Sequence, residues 1–196
     1  MRKNLTATKI SMAMHKLCRV ITKSRRLCSL TILFSFMAFA LLFATPSMAA
    51  NTALPTGPVI LEVSGKISHT NSAGKLIFDR EQLIALGMTT LSVTTPWTDG
   101  VVTFTGPKLI DVLTLAGAKG ENLTTFALDD YKAQIPISDA RDFPVILALN
   151  KNGIPLRIRD RGPLWIIYPW GDNPSLKTDT YYARSNWQLK LIIVND

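Results

Sequence analysis

From Arg157 to Asp172 the chain reads Arg-Ile-Arg-Asp-Arg-Gly-Pro-Leu-Trp-Ile-Ile-Tyr-Pro-Trp-Gly-Asp. Three guanidinium groups, Arg157, Arg159 and Arg161, stand at period-two spacing, so on a strand they would share one face. Arginine forks pair with carbonyl, carboxylate or phosphate oxygens. A Gly-Pro break then leads into an aromatic, apolar run. Trp97, Tyr131, Tyr168, Trp170, Tyr182 and Trp187 fall near strand ends or breaks, where pocket-lining residues tend to sit. Such rings can stack on a flat heterocycle, at about 1–3 kcal/mol where base stacking has been measured. The chemistry available is recognition of a flat polar ligand. Any one of these residues could equally serve the core or the surface.

Other chemistry is poorly supplied. Zinc and iron sites need three or four Cys, His or carboxylate ligands. Both cysteines, Cys18 and Cys28, lie in a segment expected to be removed, which leaves His69 alone. A Ser–His–acid arrangement would have to use that histidine, and no Gly-x-Ser-x-Gly elbow exists. Asp129 and Asp130 are adjacent, and adjacent strand side chains point to opposite faces, so a turn suits them better than paired acid catalysis. No Gly-rich phosphate loop is present.

Residues 1–49 read as a signal peptide. Eight Lys/Arg and no acid lead into the apolar run Leu30–Phe43, and Ser47-Met48-Ala49 supplies small residues for cleavage. That run is shorter than the ~20 residues a membrane span takes. Ser24-Arg25-Arg26 hints at twin-arginine export, but Cys28-Ser29-Leu30 does not continue that pattern, so the general secretory route is favoured. The expectation is a periplasmic protein with no membrane span after cleavage. The segment also holds eight of the 22 basic residues and none of the 14 acidic ones. Residues 50–196 are then electrically balanced, and the basic pI argues nothing about nucleic acid.

Residues 50–196 read as one domain with no repeat or long linker. Val59–Val63 is a β-branched strand. Asp79 is a helix N-cap, with Leu83, Ile84 and Leu86 following and Gly87 as the stop. Leu91–Thr95 and Val101–Phe104 are strands around an Asp99-Gly100 turn. Pro107 opens a helix whose stripe is Leu109, Val112, Leu113 and Ala116, ended by Gly117. Strands Leu123–Leu128 and Lys132–Ile137 flank Asp129-Asp130-Tyr131. Strands Val145–Leu149 and Pro155–Arg159 flank the hairpin signal Asn152-Gly153. Leu164–Tyr168 is a strand buried on both faces, and Gln188–Val194 closes the chain. Many short strands with two helices inserted early give an α+β class.

Several blocks then carry a resemblance. Thr95-Pro96-Trp97-Thr98, Phe104–Leu109, Asp130-Tyr131 with Ile135-Pro136, Arg161–Pro169 and Trp187-Gln188-Leu189 occur in this order. Across nearly all of residues 58–196 the chain resembles the small periplasmic proteins of the sulfite-oxidase-type molybdopterin-binding fold. The resemblance implies a mixed, barrel-like β-sheet with a few short helices and a pterin cleft. Catalytic members bind molybdenum through a cysteine in the loop after the strand equivalent to Leu91–Thr95. Here that loop holds Pro96 and Trp97 instead.

The chain is more similar to a subset that binds a pterin without molybdenum and partners membrane-bound diguanylate cyclase/phosphodiesterase receptors. On that resemblance Trp97 would roof the ring, Arg161 and Arg184 would donate to it, Asp130 or a backbone carbonyl would accept from its amino group, and Tyr131 and Tyr168 would close the sides. The expected cofactor is a molybdenum-free pterin, and the expected partner is the periplasmic domain of such a receptor. Two alternatives stay open. One is a molybdopterin-dependent oxidoreductase or a subunit of one; the other is an interaction protein whose cleft has lost its ligand.

Overall fold

Alternation builds the first sheet. Leu61, Val63, Leu76 and Phe78 turn inward from two adjacent strands, β1 (Leu61–Gly65) and β2 (Leu76–Phe78), and all four are buried. These elements belong to a computed structural model, which describes residues 53–196. The expected signal peptide and both cysteines lie outside the described residues.

Helix α1 (Arg80–Ala85) starts where its sequence says it should. The Asp79 carboxylate accepts from Gln82 N at 2.9 Å, and the Gln82 side chain returns a bond to Asp79 N at 3.1 Å. Each satisfies a donor that the first helical turn leaves open. The other Asp79 oxygen accepts from Thr56 N and Gly57 N, both at 2.9 Å, pinning the lead-in segment to the helix.

β3 (Thr89–Thr94) and β4 (Val101–Gly106) pair antiparallel from Thr89↔Gly106 to Thr94↔Val101. The loop between them, residues 95–100, is what the site will need. Gly106 is required by close approach: a Cβ there would stand 1.9 Å from the Leu147 carbonyl oxygen. Helix α2 (Leu109–Ala116) buries the predicted stripe of Leu109, Val112, Leu113 and Ala116, and Gly117 closes it at φ +61.

β5 (Asn122–Ala127) and β6 (Lys132–Pro136) form a hairpin around residues 128–131. The last strand, β11 (Leu189–Asn195), enters between β1 and β5, parallel to the first and antiparallel to the second. The five-stranded order is β2-β1-β11-β5-β6. β7 (Ile146–Ala148) and β10 (Trp165–Ile167) make a two-stranded ladder whose six residues are all fully buried. The third sheet runs β3-β4-β8-β9, with β8 (Asn150–Lys151) and β9 (Ile154–Pro155) joined at Asn152-Gly153. Both turn residues have positive φ, as a two-residue hairpin of this type demands.

The α+β class holds, with the strands shared among three sheets that do not close into a barrel among the described residues. The two expected early helices are present, and two more follow: α3 (Ile137–Asp142) and α4 (Asp179–Arg184). Arg157–Arg161 is the main correction. It is not a strand: Ile158–Asp160 form a 3-10 turn, and Arg161 takes a left-handed conformation at φ +69. The three arginines therefore share no strand face: Arg157 and Arg159 both approach Asp160, whereas Arg161 turns inward over Trp165 and Trp187. Among the described residues no helix is long and apolar enough to cross a membrane.

Candidate functional site

The loop after β3 is shaped by its first residue. Thr95 Oγ1 accepts from Trp97 N at 3.1 Å and pairs with Thr98 Oγ1 at 2.8 Å, so a buried hydroxyl folds the loop back on itself. Short Ser/Thr side chains compete for local backbone donors in this way. The fold delivers the Trp97 indole into a cluster of rings. Its centroid lies 5.5 Å from Trp187, 5.6 Å from Tyr182, 5.7 Å from Trp165 and 6.1 Å from Trp170. Trp187 and Tyr182 meet it edge-on, at 81° and 78°.

Trp165 and Trp170 are the buried backing of that cluster. Both are fully buried, and each indole N–H is satisfied, by Ser185 O at 3.2 Å and Leu176 O at 3.0 Å. Trp97, Tyr182 and Trp187 keep an open side. With Tyr131, Ala183, Ser185 and Asp129 they line a cavity of about 240 Å³. The Tyr131 hydroxyl donates to Ala183 O at 3.0 Å, tying the β5–β6 turn to α4 across the cavity wall. Asp129 accepts from Tyr131 N at 3.1 Å through one oxygen, which orders the turn.

Arg161 supports this wall from outside the cavity. Its guanidinium lies 5.3 Å from the ring centroids of both Trp165 and Trp187, and Nη1 donates to Trp97 O at 3.3 Å. A cation held over two ring faces is attracted by their quadrupoles. Its left-handed backbone, between the 3-10 turn and Gly162, aims it there.

The remaining expected residues go elsewhere. Asp130, at φ +65, turns away to pair with Lys190 at 2.8 Å and does not line the cavity. The hydrogen bond from Lys190 holds its carboxyl below the usual aspartate range. Tyr168 is fully buried and donates to Asp139 Oδ2 at 2.8 Å. Burial pushes its phenol strongly up, and the Asp139 carboxylate beside it pushes the same way. Arg184 Nη1 donates to the same oxygen at 2.9 Å and stands 5.3 Å over the Tyr181 ring. Tyr168, Asp139 and Arg184 thus fasten the residue that follows β10 to α3 and α4. They position Tyr182 and Ala183 but do not face the cavity.

Of the six expected contacts, the structure brings Trp97 and Tyr131 to the cavity and puts Arg161 behind it. It adds Asp129, Tyr182 and Trp187. The two rings were visible as aromatics near strand breaks. Asp129 carried no signal beyond its place in a turn.

The cavity offers π faces, one carboxylate acceptor and the carbonyls and hydroxyls of its rim. These can stack a flat heterocycle and take hydrogen bonds from its edge. Transition-metal donors are another matter. Among the described residues there is no cysteine, and no group of three or more His, Cys, Asp or Glu stands together. His69 Nδ1 is instead 2.7 Å from Leu115 O.

Residues 80–171 match the family model described as the oxidoreductase molybdopterin binding domain, a span that includes both the Trp97 loop and Arg161. The fold is the sulfite-oxidase-type molybdopterin-binding fold. The chain is also similar to the crystal structure of the sulfane dehydrogenase SoxCD from Paracoccus pantotrophus, at 19% identity and a TM-score of 0.53. That alignment covers 69% of this chain and 38% of the SoxCD chain, so this chain spans well under half of that protein. The likeness is one of fold. A comparison with curated proteins found no match. Within the molybdopterin-binding fold, the cavity beside the loop after β3 is lined by rings and one carboxylate and contains no thiol.

Proposed function

We propose that this protein binds a pterin-type heterocycle in the Trp97 cavity and does not perform molybdenum chemistry through a protein thiolate. The observation that carries the reading is the Trp97 ring, which fills the loop after β3 and forms one wall with Trp187 and Tyr182. The matched family implies a molybdopterin-type group. The residues fit its planar ring: stacking faces, Asp129 to accept from an amino group, and Tyr131 at the rim. They do not fit a metal centre ligated by protein sulfur, because residues 53–196 contain no cysteine.

The protein would work in the periplasm once residues 1–49 are removed. There it would report its ligand state to a membrane-bound diguanylate cyclase/phosphodiesterase receptor. This part of the proposal rests on the sequence resemblance. N-terminal sequencing of the exported protein, and co-purification with such a receptor, test its two halves.

A second reading has a specific observation in its favour. The family model that matches residues 80–171 is an oxidoreductase domain, so a molybdopterin enzyme, or a subunit that receives the group from a partner, remains the competing assignment. One experiment separates them. Protein purified from its native compartment is assayed for molybdenum, and its small-molecule content is identified by mass and fluorescence. A pterin without metal, whose binding weakens roughly tenfold or more in Trp97→Ala, supports the first reading. Near one molybdenum per chain establishes the second.

A further inference from the structure

The mature chain is balanced in charge, yet one corner of it is not. Residues 150–161 carry Lys151, Arg157, Arg159 and Arg161 against a single carboxylate, Asp160. Arg80 joins them from α1, its guanidinium on Leu149 O at 3.4 Å and on the Asn150 side chain. Arg161 is turned inward to the tryptophans, but Arg157 and Arg159 keep 59% and 71% of their side chains exposed. Asp160 pairs with Arg157 at 2.7 Å and approaches Arg159 only to 3.9 Å. Exposed pairs of this kind contribute little, so the cations stay available to another charged surface.

Apolar groups stand among these cations. Ile154 is 66% exposed and Ile158 60%, placing both among the most exposed large hydrophobic residues of the described chain. Ile154 is the cross-strand partner of Lys151 in the β8–β9 hairpin. Between the hairpin and the 3-10 turn lies a second cavity of about 240 Å³, lined by Ile154, Pro155 and Leu156 together with Lys151, Arg157 and Asp160. Solvent-facing isoleucines gain nothing by exposure, and an apolar patch rimmed by charge marks an interaction surface. Arginine-rich rims with an apolar centre are also typical of protein interfaces.

The ledge is rigidly joined to the Trp97 site. Ile158 O accepts from Gln188 Nε2 at 2.8 Å, and Arg161 O accepts from Gln188 N at 3.0 Å. Gln188 follows Trp187, which lines the ligand cavity, and Arg161 ends the 3-10 turn that displays Ile158. A body pressed on the ledge therefore bears on the backbone that sets the cavity wall.

We infer that the Lys151–Asp160 ledge docks a partner protein through an acidic segment carrying one apolar side chain, the anchor entering the notch beside Ile154 and the carboxylates meeting Lys151, Arg157 and Arg159. The notch favours a protein over an anionic membrane, because a lipid surface offers no knob to fill it. The inference stands on the ledge itself and holds whatever the Trp97 cavity binds.

The test uses the full mature chain. The first probe is a synthetic peptide of Asp and Glu around a central Leu, with the same peptide carrying Ser in place of Leu as control. Amide shifts centred on residues 151–161 and reaching Gln188 through its bonds to Ile158 and Arg161, and binding at least about fivefold tighter for the Leu peptide, are expected. Arg159→Glu, at an exposed position, should abolish binding while leaving the melting temperature within about 2 °C. Ile154→Ser with Ile158→Ser should erase the preference for Leu. Equal binding of both peptides, or binding indifferent to Arg159→Glu, overturns the inference. The second measurement places a photo-crosslinker at position 158 in the native host. Crosslinks to one protein through a segment rich in Asp and Glu support docking. Crosslinks to lipid, to basic segments, or to nothing overturn it, as does tighter binding to vesicles of anionic lipid than to the Leu peptide.

Discussion

The Arg161 guanidinium reaches across 64 residues of chain to donate to the Trp97 carbonyl oxygen at 3.3 Å, while lying over the faces of Trp165 and Trp187. One side chain thereby fixes the backbone and the backing of the same cavity wall. Arg161→Ala should cost about 1–3 kcal/mol of stability and weaken ligand binding through a displaced Trp97. Arg161→Lys keeps the charge but neither the fork nor the planar stacking, so it should recover only part of both. Thermal melts and a pterin fluorescence titration on the three proteins check this.

Neighbouring carboxylates should behave differently. Asp129 lines the cavity, and Asp130 pairs with Lys190 outside it. Asp129→Asn should reduce pterin affinity, because an amide offers one acceptor where the carboxylate offers two oxygens. Asp130→Asn should leave affinity within about twofold, since an exposed pair contributes little. Titrations of both variants at one ionic strength would show whether the ligand's amino edge faces Asp129.

Tyr168 and Arg184 converge on one oxygen of Asp139. Tyr168→Phe should cost about 1.5–3 kcal/mol, the value of a hydrogen bond to a charged group, and leave ligand affinity nearly unchanged. Arg184→Met should cost more, about 3–5 kcal/mol, because it leaves a buried carboxylate without its cation. Denaturant unfolding beside a binding titration separates this fastening role from ligand contact.

Acid should loosen the start of α1. Backbone donors at Gln82 and Gly57 hold the Asp79 carboxyl below the ordinary aspartate range. A carboxyl depressed in the folded state binds fewer protons there than in the unfolded chain. Its contribution is therefore complete above about pH 4 and is lost as pH falls through the lowered folded value. Asp79→Asn retains a capping oxygen without the charge. Its melting temperature should lie roughly 3 °C below that of the native protein at pH 7 and converge with it toward pH 2.

Much of the scaffold could be read from local chemistry. Asp79 as an N-cap with Gly87 as the stop, the stripe Leu109–Ala116 ended by Gly117, and the Asn152-Gly153 turn each specify their element within a few residues. Failure came where an element is short or its pattern ambiguous. Ile137–Asp142 and Asp179–Arg184 have six residues each, too few for an apolar period to stand out, and the first follows directly on a strand. The alternation Arg157, Arg159, Arg161 matches a strand equally well as a tight turn, and only packing between the hairpin and Gly162 decides. The site was half legible for a related reason. A β5–β6 turn with a left-handed Asp130 breaks the in-and-out alternation, so side-chain direction at Asp129 and Asp130 could not be counted along the chain.

The middle of the largest sheet is made by a strand distant in sequence from both its neighbours: Leu189–Asn195 lie between a strand that starts at residue 61 and one that starts at residue 122. A polypeptide emerging from its N-terminal end cannot finish that sheet until residue 195 is free, and its outer strands wait with open edges. Until then β1 and β5 each lack the neighbour that covers one of their edges, and unpaired edges of this kind are where partly folded chains associate.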